Sequence, residues 1–159
     1  MSPFDVYLHA VLMRAAHEAR EDGSPAVEAG HLLLAIAGEP HAGTRPVLEP
    51  AGLDRDAVRA ALDREFEHSL SAVGVSRAAH TLPRPSGRPA HPDMGTSAKL
   101  ALERGFAAVP RKKDLRPGHL LLGVLLAEVG TVPRALALAG VDRAALLVAV
   151  RQALTTDPT

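Results

Sequence analysis

The sequence predicts an all-α fold of two tandem four-helix repeats, related by pseudo-two-fold symmetry and joined by a Pro/Gly-rich linker. Three observations predict it. The phrase GHLLL stands at residues 30–34 and again at 118–122, 88 positions further on. Sliding residues 30–62 onto 118–150 without a gap gives twelve identities in 33 positions, and likeness at a fixed offset marks an internal duplication. Apolar residues recur at helical spacing through both halves, while the alternation of a half-buried strand is nearly absent.

The elements follow in order. Ser2-Pro3 is a helix start, a capping hydroxyl followed by a proline whose missing N–H costs nothing in a first turn. Phe4, Tyr7, Leu8, Val11, Leu12 and Ala15 then keep helical spacing until Asp22-Gly23, where glycine ends the helix. Residues 28–37 predict a short, strongly apolar second helix. A third covers 44–51, with Pro46 in its first turn and Pro50 at or beyond its end. Asp54 caps a fourth, whose apolar positions are Ala57, Val58, Ala61, Leu62 and Phe66.

Residues 71–95 hold four prolines and three glycines and read as an extended linker. Helices over 96–109, 117–128, 132–139 and 142–154 then repeat the first set. Gly52-Leu53-Asp54 and Gly140-Val141-Asp142 write the same event twice, a glycine stop followed by an aspartate cap. The expected organisation is a first repeat over 1–70, a linker over 71–95 and a second repeat over 96–155, forming one compact domain.

Composition narrows the function. At 159 residues and 47% hydrophobic, the chain can bury a core. Lys plus Arg is 18 and Asp plus Glu is 18, so there is no broad basic field for nucleic acid. With no cysteine, a disulfide scaffold and thiolate chemistry are excluded. No run approaches the ~20 apolar residues of a membrane span. The N-terminus lacks the basic start and apolar block of a secretion signal. The expectation is a cytoplasmic protein with no nucleic-acid or membrane partner.

His31 and His119 are the only histidines related by the duplication. No His-Glu-x-x-His or Cys pair accompanies them, so a structural role in the first turn of a buried helix is expected, and no metal. The other six histidines are expected on the surface. Gly74-Val75-Ser76-Arg77-Ala78 lacks the final glycine and preceding strand of a nucleophile elbow. Arg111-Lys112-Lys113 reads as a solvated loop. No phosphate loop, nucleophile set or cofactor motif is present, which predicts a non-enzyme without cofactors.

A duplicated four-helix unit whose second helix reads Gly-His-Leu-Leu-Leu resembles the N-terminal repeat domain of Clp ATPases. That family writes Gly-Thr-Glu-His-Ile-Leu-Leu-Gly-Leu at this point in each half. Phe4, Leu12, Ala15, Glu18 and Ala19 sit in the register of its first helix. The stretch HPDMGTSAKLALERG from His91 is similar to its second-half opening, with Ala98 and Lys99 matching and Met94 in place of Phe. The likeness runs from Phe4 to about Leu154 and includes none of the ATPase motifs, so it implies either a fragment of a longer ATPase or the N-terminal domain standing alone, the second being the expectation.

The resemblance implies a non-enzymatic docking module whose partners are a Clp-type ATPase, an adaptor or a substrate protein. Some family members take phosphorylated arginine with the Glu of each Thr-Glu-His motif. Here Gly30 and Gly118 stand at both Glu positions, which removes the carboxylates that would hold a guanidinium. The family also carries a groove lined by the first helix of each repeat. By register that groove would here be His9, Leu12, Met13 and Ala16 with His91, Met94, Lys99, Leu102 and Glu103. In actinobacterial members it takes cyclic peptide antibiotics, and the Arg-rich, Lys-poor composition fits such a high-GC source. The alternative function is therefore sequestration of a cyclic peptide, protecting the cellular Clp ATPase.

Overall fold

The computed structural model describes residues 1–74 and 92–156. Eight α-helices run in order: α1 (Pro3–Glu21), α2 (Ala29–Gly38), α3 (Arg45–Leu48), α4 (Arg55–Ala72), α5 (Thr96–Ala107), α6 (Pro117–Leu125), α7 (Thr131–Leu138) and α8 (Arg143–Thr156). The helix starts obey the expected local chemistry. Ser2 accepts from the Asp5 backbone N–H at 3.1 Å while Asp5 reaches back to the Ser2 backbone, a complete capping box. Asp54 caps α4 at 2.7 Å from the Ala57 N–H, and Asp142 does the same for α8 at 3.3 Å from Ala145. Gly52 and Gly140 both take positive φ, 69° and 73°, where a side chain would be strained.

Two features depart from the sequence reading. First, α4 continues to Ala72, past the start of the expected linker. Second, Ala26–Val27 (β1) pairs in parallel with Asp93–Met94 (β2), a two-residue strand pair too short to leave any alternation in the sequence. Gly95 extends it by donating to the Val27 carbonyl at 2.8 Å. The basic loop folds Lys112–Asp114 into a single 3-10 turn, and Arg111 pairs with Asp114 at 2.9 Å.

The two halves share one continuous apolar core. Leu32, Leu33, Leu34 and Ile36 of α2 join Leu120, Leu121, Val124 and Leu125 of α6, all essentially sealed from solvent. The halves also exchange neighbours, since α4 packs on α7 and α3 on α8. Phe4 and Phe106 tie α1 to α5 edge to face, with ring centroids 6.5 Å apart.

The α5–α6 crossing is the tightest. A Cβ on Gly123 would lie 2.0 Å from the Ala101 carbonyl oxygen, so only glycine fits. The first half has Ala35 at the corresponding place and needs no such approach.

Candidate functional site

Between the halves lies a cavity of about 620 Å³, walled by the start of α2, by α4 and α5, and by the α6–α7 loop. Its apolar side is open. Phe66 is 48% exposed, Leu100 40% and Val129 85%, and all three line the cavity. Spacing alone puts Phe66 on the apolar stripe of α4. Instead Glu65 takes the buried place beside Val58 and Ala61, and Phe66 turns into the cavity mouth. A glutamate on that stripe was the signal that the helix had rotated.

On the polar side most of the charges are internally satisfied, Arg104 excepted. Outside the lining, 3.8 Å from Arg59, buried Glu18 receives Arg55 bidentately, with Nε at 3.0 Å and Nη2 at 2.9 Å. Arg59 bonds both Asp22, at 3.0 Å, and Asp63, at 3.3 Å. Buried Glu65 receives Arg134 at 3.0 Å and the Ser69 hydroxyl at 2.7 Å, an ion pair that bridges α4 to α7. Glu28 accepts from the Ser97 hydroxyl at 2.5 Å, and the same Ser97 oxygen accepts from the Ala29 N–H at 2.8 Å. Ser97 thus fastens α5 to the first turn of α2.

Both repeated histidines bond a backbone N–H at the start of their helix. His31 Nδ1 accepts from the Glu28 N–H at 3.0 Å, and His119 Nδ1 from the Arg116 N–H at 2.9 Å. Each ring satisfies a backbone donor exposed at the helix start. His31 then donates from Nε2 to the Asp22 carboxylate at 2.8 Å. Burial pushes the Asp22 carboxyl up, but the bonds and charges of His31 and Arg59 outweigh it and hold the pKa below its ordinary value. Burial and the neighbouring Arg116 lower the pKa of His119.

The two glycines at the family's Glu positions are closed over. A Cβ at Gly30 would meet the Leu62 side chain at 3.1 Å, and one at Gly118 would meet Leu154 at 2.9 Å. In each half, the fourth helix lays a leucine where a longer side chain would have to stand.

The groove residues expected from the resemblance lie elsewhere than the cavity, and none of those described lines it. His9 and Met13 are exposed on α1, and Lys99 and Glu103 are exposed on α5. Leu12, Ala16, Met94 and Leu102 are half-buried against the core. His91 and the Gly74–Ala78 stretch beyond Gly74 fall outside the described residues, as do Arg77, Arg84 and Arg88. Of the other histidines, His9, His17 and His68 are exposed as expected. His41 is not, because its ring packs on Tyr7 with centroids 5.3 Å apart.

Among the described residues no cluster of His, Asp and Glu is arranged to hold a metal ion, and no helix is long and apolar enough to cross a membrane. The crystal structure of the N-terminal domain of the caseinolytic protease associated chaperone ClpD from Arabidopsis thaliana superposes with a TM-score of 0.64. The match covers 93% of this chain and 94% of that one at 19% identity, a likeness of fold. No curated protein matches significantly in sequence. The sequence profile of the Clp repeat (R) N-terminal domain matches residues 4–114, and the fold continues the same helical unit to the end of α8, so the chain belongs to the Clp repeat N-terminal domain family.

Proposed function

We propose that the protein is a non-enzymatic docking module that takes peptide segments of adaptors, substrates or a Clp-type partner. One observation carries the reading: Phe66, Leu100 and Val129 leave large apolar surface open to solvent around a single cavity. Soluble proteins rarely leave such surface converging without a partner. Apart from Arg104, the arginines along the opposite wall, Arg59 and Arg134, are already paired, which suits orientation of a peptide more than catalysis. The groove of His9, Leu12, Met13, Ala16, Met94, Lys99, Leu102 and Glu103 is a second surface proposed for the same role. Met13 and Met94 there are adaptable apolar groups.

The cavity volume supports a second reading, capture of a small cyclic peptide, because about 300–1,000 Å³ is the usual range for ligand pockets. A photo-crosslinking residue at position 100, used in native cytoplasm, tests both readings. Adducts to a Clp ATPase, adaptor or client that disappear with Phe66→Asp support docking through the cavity. Adducts that persist in Phe66→Asp but vanish in Met94→Ala/Lys99→Ala move the site to the groove. Adducts only to a small molecule support sequestration.

A further inference from the structure

Toward the C-terminal end of α5, beyond its contact with α2, a second and shallower recess opens over the start of α6 and the end of α8. Its polar lining is Arg104, Arg151, His119 and Thr155, on a floor that includes Leu122 and Leu154. No carboxylate lines it among the described residues. Neither Arg104 nor Arg151 has a hydrogen-bonding or ion-pairing partner there, whereas Arg59 and Arg134 at the first cavity are both paired. His119 adds a third donor. Its Nδ1 accepts the Arg116 N–H, so the neutral ring carries its proton on Nε2, which has no partner among the described residues.

The duplication supplies an internal comparison. In the first half the matching imidazole donates to Asp22, which also holds Arg59. Asp22 caps the end of α1, where the end of α5 has Ala108, and Leu147 stands 88 positions on from Arg59. The second half lacks a carboxylate bonded to its imidazole and has arginines of α5 and α8 beside it instead. Three donors without an acceptor are a recess built for an external oxyanion.

Arg104 also lines the first cavity, so its side chain forms a wall common to both. We infer that the recess of Arg104, Arg151 and His119 binds the carboxylate of an acidic residue in a peptide whose neighbouring apolar side chain enters the cavity. This rests on the docking reading and names the chemistry of the docked segment, an acidic residue beside large apolar ones. It also selects against an arginine side chain, which would meet only positive charge.

The test uses the purified full chain and two blocked peptides, acetyl-Leu-Asp-Leu-amide and acetyl-Leu-Asn-Leu-amide, with inorganic phosphate as a third probe. The readout is the His119 Nε2 nitrogen resonance together with the binding isotherm. The acidic peptide should shift His119 saturably and leave His31 unmoved, binding at least tenfold more tightly than the amide. Arg104→Gln/Arg151→Gln should remove that preference, and Arg104→Lys/Arg151→Lys should retain part of it. Arg151 is exposed and Arg104 half-buried, and unchanged melting curves confirm folding. Equal binding of the two peptides, or a shift at His31 instead, overturns the inference. Saturation by phosphate with neither peptide moving His119 also overturns it, in favour of a free-anion site. Failure of the docking reading itself appears separately, as cross-linking at position 100 insensitive both to Phe66→Asp and to Met94→Ala/Lys99→Ala.

Discussion

The imidazole of His31 donates to the Asp22 carboxylate across 2.8 Å, while the imidazole of His119, set on its helix by the same backbone bond, has no such acid. One sequence phrase therefore has two fates. In the first half it is locked into a charge network with Arg59, and in the second the buried ring borders a recess that no carboxylate lines among the described residues.

That difference predicts a pH dependence in two windows. The folded-state pKa of Asp22 lies below its ordinary value, so its stabilising contribution is present above about pH 4 and is lost as pH falls through the depressed value. Folding also lowers the pKa of His119. Its contribution is complete above about pH 6.5, where the ring is neutral in both states, and declines as pH falls from there through the folded value. Melting temperature against pH should show both losses. Asp22→Asn should flatten the acidic one, and His119→Gln the one beginning near pH 6.5.

Glu18 is buried and depends on Arg55 for neutralisation. Arg55→Ala strands that carboxylate beside the more distant Arg59, at 3.8 Å, and should destabilise the fold by about 2–4 kcal/mol. A double variant with Glu18→Gln should recover much of the loss, because no unpaired charge then remains. Urea denaturation of the two variants checks both values.

Gly123→Ala should cost about 1–3 kcal/mol or more, because the added methyl meets backbone at the α5–α6 crossing and backbone cannot move aside. Ala35→Gly at the corresponding place in the first half creates no clash. Its cost should stay near the ~1 kcal/mol of a helical glycine plus the loss of one buried methyl. Parallel thermal melts separate the two.

Restoring the family's carboxylate with Gly118→Glu should destabilise the protein and create no guanidinium site, since Leu154 already covers the position. Gly118→Glu combined with Leu154→Ala removes the cover and should regain part of the stability lost. Titration with free arginine alongside the melts checks both statements.

Much of the fold was legible because it rests on local chemistry. Ser2, Asp54 and Asp142 cap helices from their own side chains, and Gly52 and Gly140 stop them by their own backbone freedom. The buried Leu32–Leu34 and Leu120–Leu122 followed from composition and spacing. What escaped depends on partners far apart in the chain. The β1–β2 pair joins residues 26–27 to 93–94, too short to leave a pattern.

The cavity escaped for the same reason. It needs Phe66, Leu100 and Val129 from three separate segments, and only the rotation of α4 that buries Glu65 against Arg134 of α7 turns Phe66 outward. Spacing along one helix cannot report a rotation set by another.

The most direct measurement is binding of a fluorescent peptide with large apolar side chains to the purified protein, compared with its Phe66→Asp variant at matched stability. The account predicts saturable binding by the native protein and at least a tenfold loss in the variant, with Met13→Ala having little effect. Binding unchanged by Phe66→Asp would contradict the claim that the cavity between the two halves is where partners dock.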